Sequence, residues 1–178
     1  IFQAQEYFLL WGPPGTGKTN LVLKNLVKLI HLYTSENILL LSYTNRAVDE
    51  ICEAVTEAGF GEDFIRIGSR YSAMECFHKN LLDQKAKTCK NRQEILRMLD
   101  KTRIFVGTVS SMLGKRELFN FKKFDTVIID EASQILEPML MGLLTNFKKF
   151  ILIGDHKQLP AVVRQKYDDC HFQSKRLI

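Results

Sequence analysis

The sequence predicts an α/β fold, a mostly parallel sheet with helices on both faces. Three observations predict it. Strand-like and helix-like segments alternate along the 178 residues. Several strand-like segments are continuous apolar runs, such as Ile38-Leu39-Leu40-Leu41 and Val127-Ile128-Ile129; strands covered on both faces read this way, whereas half-solvated strands alternate. A glycine-rich run, Gly12-Pro13-Pro14-Gly15-Thr16-Gly17-Lys18-Thr19, joins an apolar strand-like segment to a segment with helical apolar spacing, the strand–loop–helix order that opens a doubly wound domain.

The elements follow in order. Strands are predicted at Tyr7 to Trp11, Asn37 to Tyr43, Phe64 to Ile67, Arg103 to Gly107, Phe124 to Ile129 and Phe150 to Gly154. Helices are predicted at Lys18 to Leu32, Arg46 to Ala58 (with Gly59 as its stop), Met74 to Asp100 in broken form, Ser110 to Leu118 and Gln134 to Asn146. Two similar runs, Asn120-Phe121-Lys122-Lys123-Phe124 and Asn146-Phe147-Lys148-Lys149-Phe150, each precede an apolar strand. They read as helix-to-strand connectors with lysines at the rim and phenylalanines packed at the sheet edge; a nucleic-acid patch is the alternative.

Composition is that of a soluble globular domain, 46% hydrophobic and 25% charged. No apolar stretch is long enough to span a bilayer, so no membrane partner is expected. The opening residues Ile1 to Glu6 lack a basic start and a cleavage site, and no signal peptide is expected. The chain begins without Met on what reads as the tail of a helix, which predicts a piece of a longer protein. The net charge of +5 is compatible with a polyanionic partner but does not establish one. Cys52, Cys76, Cys89 and Cys170 form no C-x-x-C pair; reduced thiols in an intracellular protein are expected rather than a metal cluster. The basic stretch Leu81 to Arg103 carries Lys85, Lys87, Lys90, Arg92, Arg97, Lys101 and Arg103. It reads as a solvated helix pair, with a surface for a phosphate backbone as the alternative.

Three segments carry chemistry. The run from Gly12 to Thr19 matches the phosphate-loop pattern G-x-x-x-x-G-K-S/T. Its glycines let backbone wrap a phosphate, and the helix start behind it offers free N–H groups and partial positive charge. Gly12, Pro13, Pro14, Gly15, Thr16, Gly17, Lys18 and Thr19 are therefore the candidate nucleotide cradle, with Lys18 toward the β- and γ-phosphates and the Thr19 hydroxyl toward Mg²⁺. The strand Asp125 to Ile129 ends in Asp130 and Glu131. At the carboxyl end of a parallel strand these acids face the loop, Asp130 to hold Mg²⁺ and Glu131 to orient and deprotonate the attacking water. A third strand ends in Asp155, His156, Lys157 and Gln158. Asp155 and Gln158 are assigned to the nucleotide, Gln158 as an amide donor to the γ-phosphate and hence a reporter of nucleotide state. His156 reads as a turn or interface residue.

These motifs resemble motifs I, II and III of superfamily 1 helicases: Gly12 to Thr19, Asp130-Glu131-Ala132-Ser133-Gln134, and Gly154-Asp155-His156-Lys157-Gln158-Leu159-Pro160. The resemblance is to the branch that holds the nonsense-mediated-decay helicase and the replication helicase-nucleases. Ser42-Tyr43-Thr44-Asn45-Arg46-Ala47-Val48-Asp49 is similar to that branch's motif Ia, and Val106-Gly107-Thr108-Val109-Ser110-Ser111 to its motif Ic. The resemblance implies that Thr44, Asn45, Thr108 and Ser110 touch the backbone of a single strand; a helix cap is the competing role for Thr44 and Asn45. It implies that residues 1–178 form one RecA-like ATP-binding motor domain, the first of two in a helicase, with a basic helical insertion at about 72–102. It also implies ATP as the nucleotide, single-stranded nucleic acid as the track with DNA slightly favoured over RNA, and a second RecA-like domain in the same chain. The family's later motifs and arginine fingers are absent from these residues, and the glutamine motif that reads adenine has no match upstream of the loop. A nucleic-acid-independent P-loop NTPase switch is the alternative function. A binding module with a degenerate nucleotide site is a third, opposed by the intact Lys18, Thr19, Asp130 and Glu131.

Overall fold

The computed structural model describes residues 6–13 and 16–155. Within them six strands form one sheet in the order β1-β6-β5-β2-β4-β3, and all five strand pairs are parallel. The strands are β1 (Tyr7–Trp11), β2 (Ile38–Ser42), β3 (Phe64–Ile67), β4 (Ile104–Thr108), β5 (Thr126–Ile129) and β6 (Lys149–Gly154). Every residue of β2, β3, β4 and β5 is buried, the continuous apolar reading made physical.

The helices are α1 (Lys24–Tyr33), α2 (Asn45–Val55), α3 (Leu82–Lys87), α4 (Arg92–Lys101), α5 (Val109–Leu113), α6 (Leu118–Phe121) and α7 (Glu137–Leu144). They cover two faces with separate cores. One packs Leu26, Val27 and Ile30 of α1 and Ile51 and Val55 of α2 onto Ile38, Leu40, Val106 and Ile128. The other packs Met112, Leu118, Leu140 and Leu143 onto Leu39, Leu41, Phe105 and Val127. Among the described residues no helix is long and apolar enough to cross a membrane.

The predicted elements hold, with local corrections. The helix expected over 74–100 breaks into a 3₁₀ turn at Glu75–Asn80, α3 and α4. The break is anchored: Leu81 bridges to Arg66 on β3, and buried Asn80 donates to Gly61 O at 2.9 Å. The helix restarts where Asn91 accepts from Glu94 N at 2.9 Å while Glu94 accepts from Lys90 N at 2.6 Å. The helix expected over 110–118 stops at Leu113, and α6 follows it. The one expected from Gln134 starts at Glu137. The π turn Thr56–Phe60 extends α2 and is interrupted at Gly59.

The two repeated connectors keep most of the expected phenylalanine packing but not both lysines at the rim: Lys122 and Lys149 are buried, and Phe121 is exposed. Phe124 meets Phe105, Phe119 and Phe147, and Lys122 donates to Asp100 O at 2.7 Å. Arg103 leaves the basic stretch altogether. Its guanidinium donates to the carbonyls of His31, Thr34 and Glu36 at 2.7–3.2 Å, tying the end of α1 to the start of β4.

Cys52 of α2 is fully buried, and that burial pushes its thiol from the usual 9.0 up to about 12, against the opposing pull of the Arg66 guanidinium. Below pH 9 the thiol is protonated in both states; as pH rises from 9 toward 12 it ionises in the unfolded chain but not in the fold, and stability is lost across that window. Stability should therefore fall across that window by up to about tenfold in the folding constant per pH unit. Cys52→Ala should flatten the fall. Urea unfolding of both proteins at pH 8, 9.5 and 10.5 checks this, and equal slopes would exonerate the thiol.

Candidate nucleotide site and strand interface

The carboxyl ends of β1, β6 and β5 lie side by side and bring the predicted motifs together. After β1, Gly12 N donates to Gly154 O at 3.2 Å, and Thr16 Oγ1 donates to Pro13 O at 2.7 Å. Gly17 takes the left-handed conformation, φ 76 and ψ 21, which turns the chain into the next helix. That helix opens as a π turn, Lys18–Leu23, in which Gly17 O accepts from Leu21 N at 2.7 Å and Val22 N at 3.3 Å. No described side chain caps its start, whereas Thr44, Asn91 and Thr108 cap α2, α4 and α5. A helix start without a side-chain cap among the described residues suits an external acceptor such as an anion.

Thr19 Oγ1 donates to Asp130 Oδ2 at 2.6 Å. This contact joins the loop's helix to β5 across β6, and it places the two predicted metal ligands together. Asp130 is buried, and its other oxygen accepts from Glu131 N at 3.0 Å. Among described residues Glu131 is the sole non-glycine with positive φ, at 52. Such a conformation costs about 1 kcal/mol or more and clusters at functional sites. Gln134 Nε2 holds Glu131 Oε2 at 2.8 Å. A conformation held against its own preference, with its carboxylate anchored from the next turn, fixes Glu131 beside Asp130.

Neighbouring residues hold this arrangement. Gly154 passes so close to the turn after β5 that a Cβ there would lie 3.1 Å from Ser133 N. Ser133 Oγ accepts from Asp155 N at 3.4 Å. Buried Asp155 accepts from Trp11 Nε1 at 3.1 Å, so its carboxylate ties β6 to β1. Sequence motifs alone give no role to Trp11, Ser133 or Gln134, although Gln134 stands three residues after Glu131, the spacing of one helical turn. Lys18 sits at the helix start; Pro14, Gly15, His156 and Gln158 lie outside the described residues.

The predicted strand contacts follow β2 and β4, which are adjacent in the sheet with Ser42 opposite Thr108. Thr44 caps α2 by accepting from Ala47 N at 3.1 Å. Asn45 and Ser110 are exposed at the first turns of α2 and α5. Thr108 is buried, and its hydroxyl donates to Ser111 Oγ at 2.7 Å while accepting from Ser111 N at 3.0 Å. Within the basic insertion, Lys79 pairs with Glu62, Lys85 donates to Glu62 O at 2.9 Å, and Asp83 meets Lys115 at 3.1 Å. These contacts support the solvated helix-pair reading for that part of the insertion.

A phosphate-loop helix start, a half-buried Thr–Asp contact and a strained Glu at the carboxyl edge of a parallel sheet define a RecA-like P-loop nucleotide-binding domain. The chain belongs to the AAA domain family, whose model matches residues 1–94 and again 72–166. It is 33% identical over 166 residues to the DNA replication ATP-dependent helicase/nuclease DNA2 of Homo sapiens, covering 92% of this chain and 15% of that protein. It is 35% identical over 164 residues to the DNA replication ATP-dependent helicase/nuclease JHS1 of Arabidopsis thaliana, covering 92% of this chain and 12% of that protein. The chain thus spans less than a sixth of these relatives. Two solved structures share the fold: the UvsW helicase from Bacteriophage T4 and Arterivirus nonstructural protein 10 (helicase) in complex with DNA. The first has TM-score 0.59 and 16% identity, covering 84% of this chain and 47% of that one. The second has TM-score 0.55 and 22% identity, covering 89% of this chain and 30% of that one. This is a RecA-like P-loop domain of the AAA domain family, similar in sequence to DNA replication ATP-dependent helicase/nucleases and in fold to helicases, as the superfamily 1 resemblance implies.

Proposed function

We propose that this domain binds Mg-ATP and hydrolyses it as the first motor domain of a helicase or translocase that moves on a single nucleic-acid strand inside the cell. The observation that carries the reading is the Thr19–Asp130 contact at 2.6 Å beside Glu131, which Gln134 holds. Phosphates would lie on the uncapped helix start, and Lys18 would neutralise the β- and γ-phosphates. The all-oxygen pair Thr19 and Asp130 suits Mg²⁺, which prefers hard ligands and fills its remaining positions with water and phosphate. Bound there, Mg²⁺ would neutralise charge that develops on the phosphates. Glu131 would take the proton of the attacking water, and Gln134 would keep its carboxylate in place. Gln158 would sense the γ-phosphate. A second RecA-like domain would close the cleft.

Thr44, Asn45 and Ser110 would meet the backbone of the strand, while Thr108 would act by fixing the turn that presents Ser110. DNA is favoured over RNA because both relatives named above are DNA replication enzymes by name. ATP hydrolysis by the intact protein with no polymer, with single-stranded DNA and with single-stranded RNA tests the reading. At least about tenfold stimulation by one polymer is expected, since ordering a single catalytic group is worth that much. Robust turnover indifferent to both polymers would instead make this a nucleic-acid-independent NTPase switch.

A further inference from the structure

Arg66 lies in the middle of β3 and is fully buried, beneath α2. Its Nη2 pairs with Asp49 Oδ1 at 2.8 Å, with 1% and 11% of the two side chains exposed. The same nitrogen donates to Ser72 O at 3.3 Å, and the same Asp49 oxygen accepts from Met74 N at 3.4 Å. Two other guanidinium nitrogens, Nε and Nη1, are buried without a hydrogen-bond partner. A pair with that many unmet donors is a poor source of stability: desolvating two charges offsets most of their attraction, and apolar side chains of like volume often serve as well or better. What a buried, hydrogen-bonded ion pair supplies and an apolar pair does not is direction.

The direction it fixes concerns α2. Asp49 stands one turn after Asn45, on the same side of the helix. Asn45, Arg46 and Asp49 share a groove with Ser72 and Met74, so the start of α2 and the turn over residues 70–74 form its two lips. The second lip is itself stiff. Ser72 N and Ser72 Oγ both donate to Ser69 O, at 3.2 and 3.0 Å. His78 Nδ1 accepts from Arg70 Nε at 3.3 Å, and His78 Nε2 donates to Ala73 O at 3.1 Å. Among the described strands β3 pairs only with β4, with one isolated bridge from Arg66 to Leu81 besides, and the ion pair, together with Met74 N on the same Asp49 oxygen, ties β3 and its turn to α2. Glu50 and Glu53 line the groove farther along α2; polymer phosphates would therefore cross at the Asn45 end rather than run along the groove.

We propose that Arg66, acting through Asp49 on the groove wall, is a positioning residue for the single strand: the pair sets the spacing of the two lips, and hence polymer affinity, and Arg66 itself touches neither polymer nor nucleotide. This rests on the reading that Thr44 and Asn45 meet a strand. The test is the double substitution Asp49→Leu with Arg66→Met in the intact protein, alongside Arg66→Lys. The double variant should melt at or above the wild-type temperature and keep the wild-type KM for ATP at saturating polymer. Its polymer concentration for half-maximal stimulation should rise about tenfold, the worth of one charge-assisted hydrogen bond to the strand. Arg66→Lys keeps the charge but not the guanidinium nitrogen that meets Asp49 and Ser72 O together, and should shift that concentration the same way by less. An unchanged polymer constant in either folded variant overturns the proposal, and so does a KM for ATP that rises in step with it. If the double variant fails to fold, Arg66→Lys decides alone. Wild-type turnover indifferent to every polymer would remove the reading underneath, and the wild-type arm reports that separately.

Discussion

Glu131→Gln is expected to keep Mg-ATP binding and to lose turnover by about 10²–10⁴-fold, the range for removal of a general base. The substitution is nearly isosteric, so Gln134 would still find an oxygen to hold, and the positive φ at position 131 would be asked of a residue of the same shape. What changes is the ability to accept a proton. Asp130 is poorly placed to take over: one of its oxygens already accepts from Thr19 and the other from Glu131 N. Titration calorimetry with Mg-ATP and single-turnover hydrolysis separate the two quantities. Binding that disappears along with turnover would mean that the carboxylate holds the nucleotide rather than the water. Turnover retained would mean that Glu131 is not the base.

The placement of these residues was legible in the sequence because each carries a local signal. A continuous apolar run such as Thr126 to Ile129 becomes a strand covered on both faces, and the acids that follow it must emerge at its carboxyl end. The same logic places Gly12 after β1 and Asp155 after β6, and the parallel sheet then gathers all three. The constraints that refine the site were not legible, because they depend on partners distant in the chain. Nothing in the composition around Asp155 says that its carboxylate faces Trp11, 144 positions away. Thr108 reads as a strand contact by position, yet its hydroxyl is consumed locally by Ser111.

Arg66 is the sharpest case. In Phe64-Ile65-Arg66-Ile67 it interrupts an apolar run, and such a side chain ordinarily points to water. It is buried because Asp49 lies above it, and neither residue predicts the other. Backbone conformation was equally hidden: residue type gives little reason to expect a left-handed glutamate after Asp130. Such exceptions to local preference are expected to gather where a fold is held for function.

The isolated 178-residue domain is expected to hydrolyse ATP about 10³–10⁵-fold more slowly than the intact protein with polymer, the worth of an arginine finger supplied from elsewhere. The described site offers what one wall of a cleft can offer. It has a helix start without a described side-chain cap, an oxygen pair suited to a metal, and a carboxylate held by an amide. Charge that develops on the γ-phosphate in the transition state needs cations on the opposite side as well, and three of the described arginines are engaged elsewhere. Arg66 lies under α2, Arg103 is occupied by carbonyls at the amino end of the sheet, and Arg46 pairs with Glu50 at 3.4 Å. Nucleotide affinity should fall much less than rate, because the phosphate cradle belongs to this domain alone. Comparing ATP binding and turnover for the domain and the intact protein checks both halves. Fast turnover by the domain alone would mean that the transition state is completed from within these residues. The cleft with a second motor domain would then be a device for moving the strand rather than for breaking the bond.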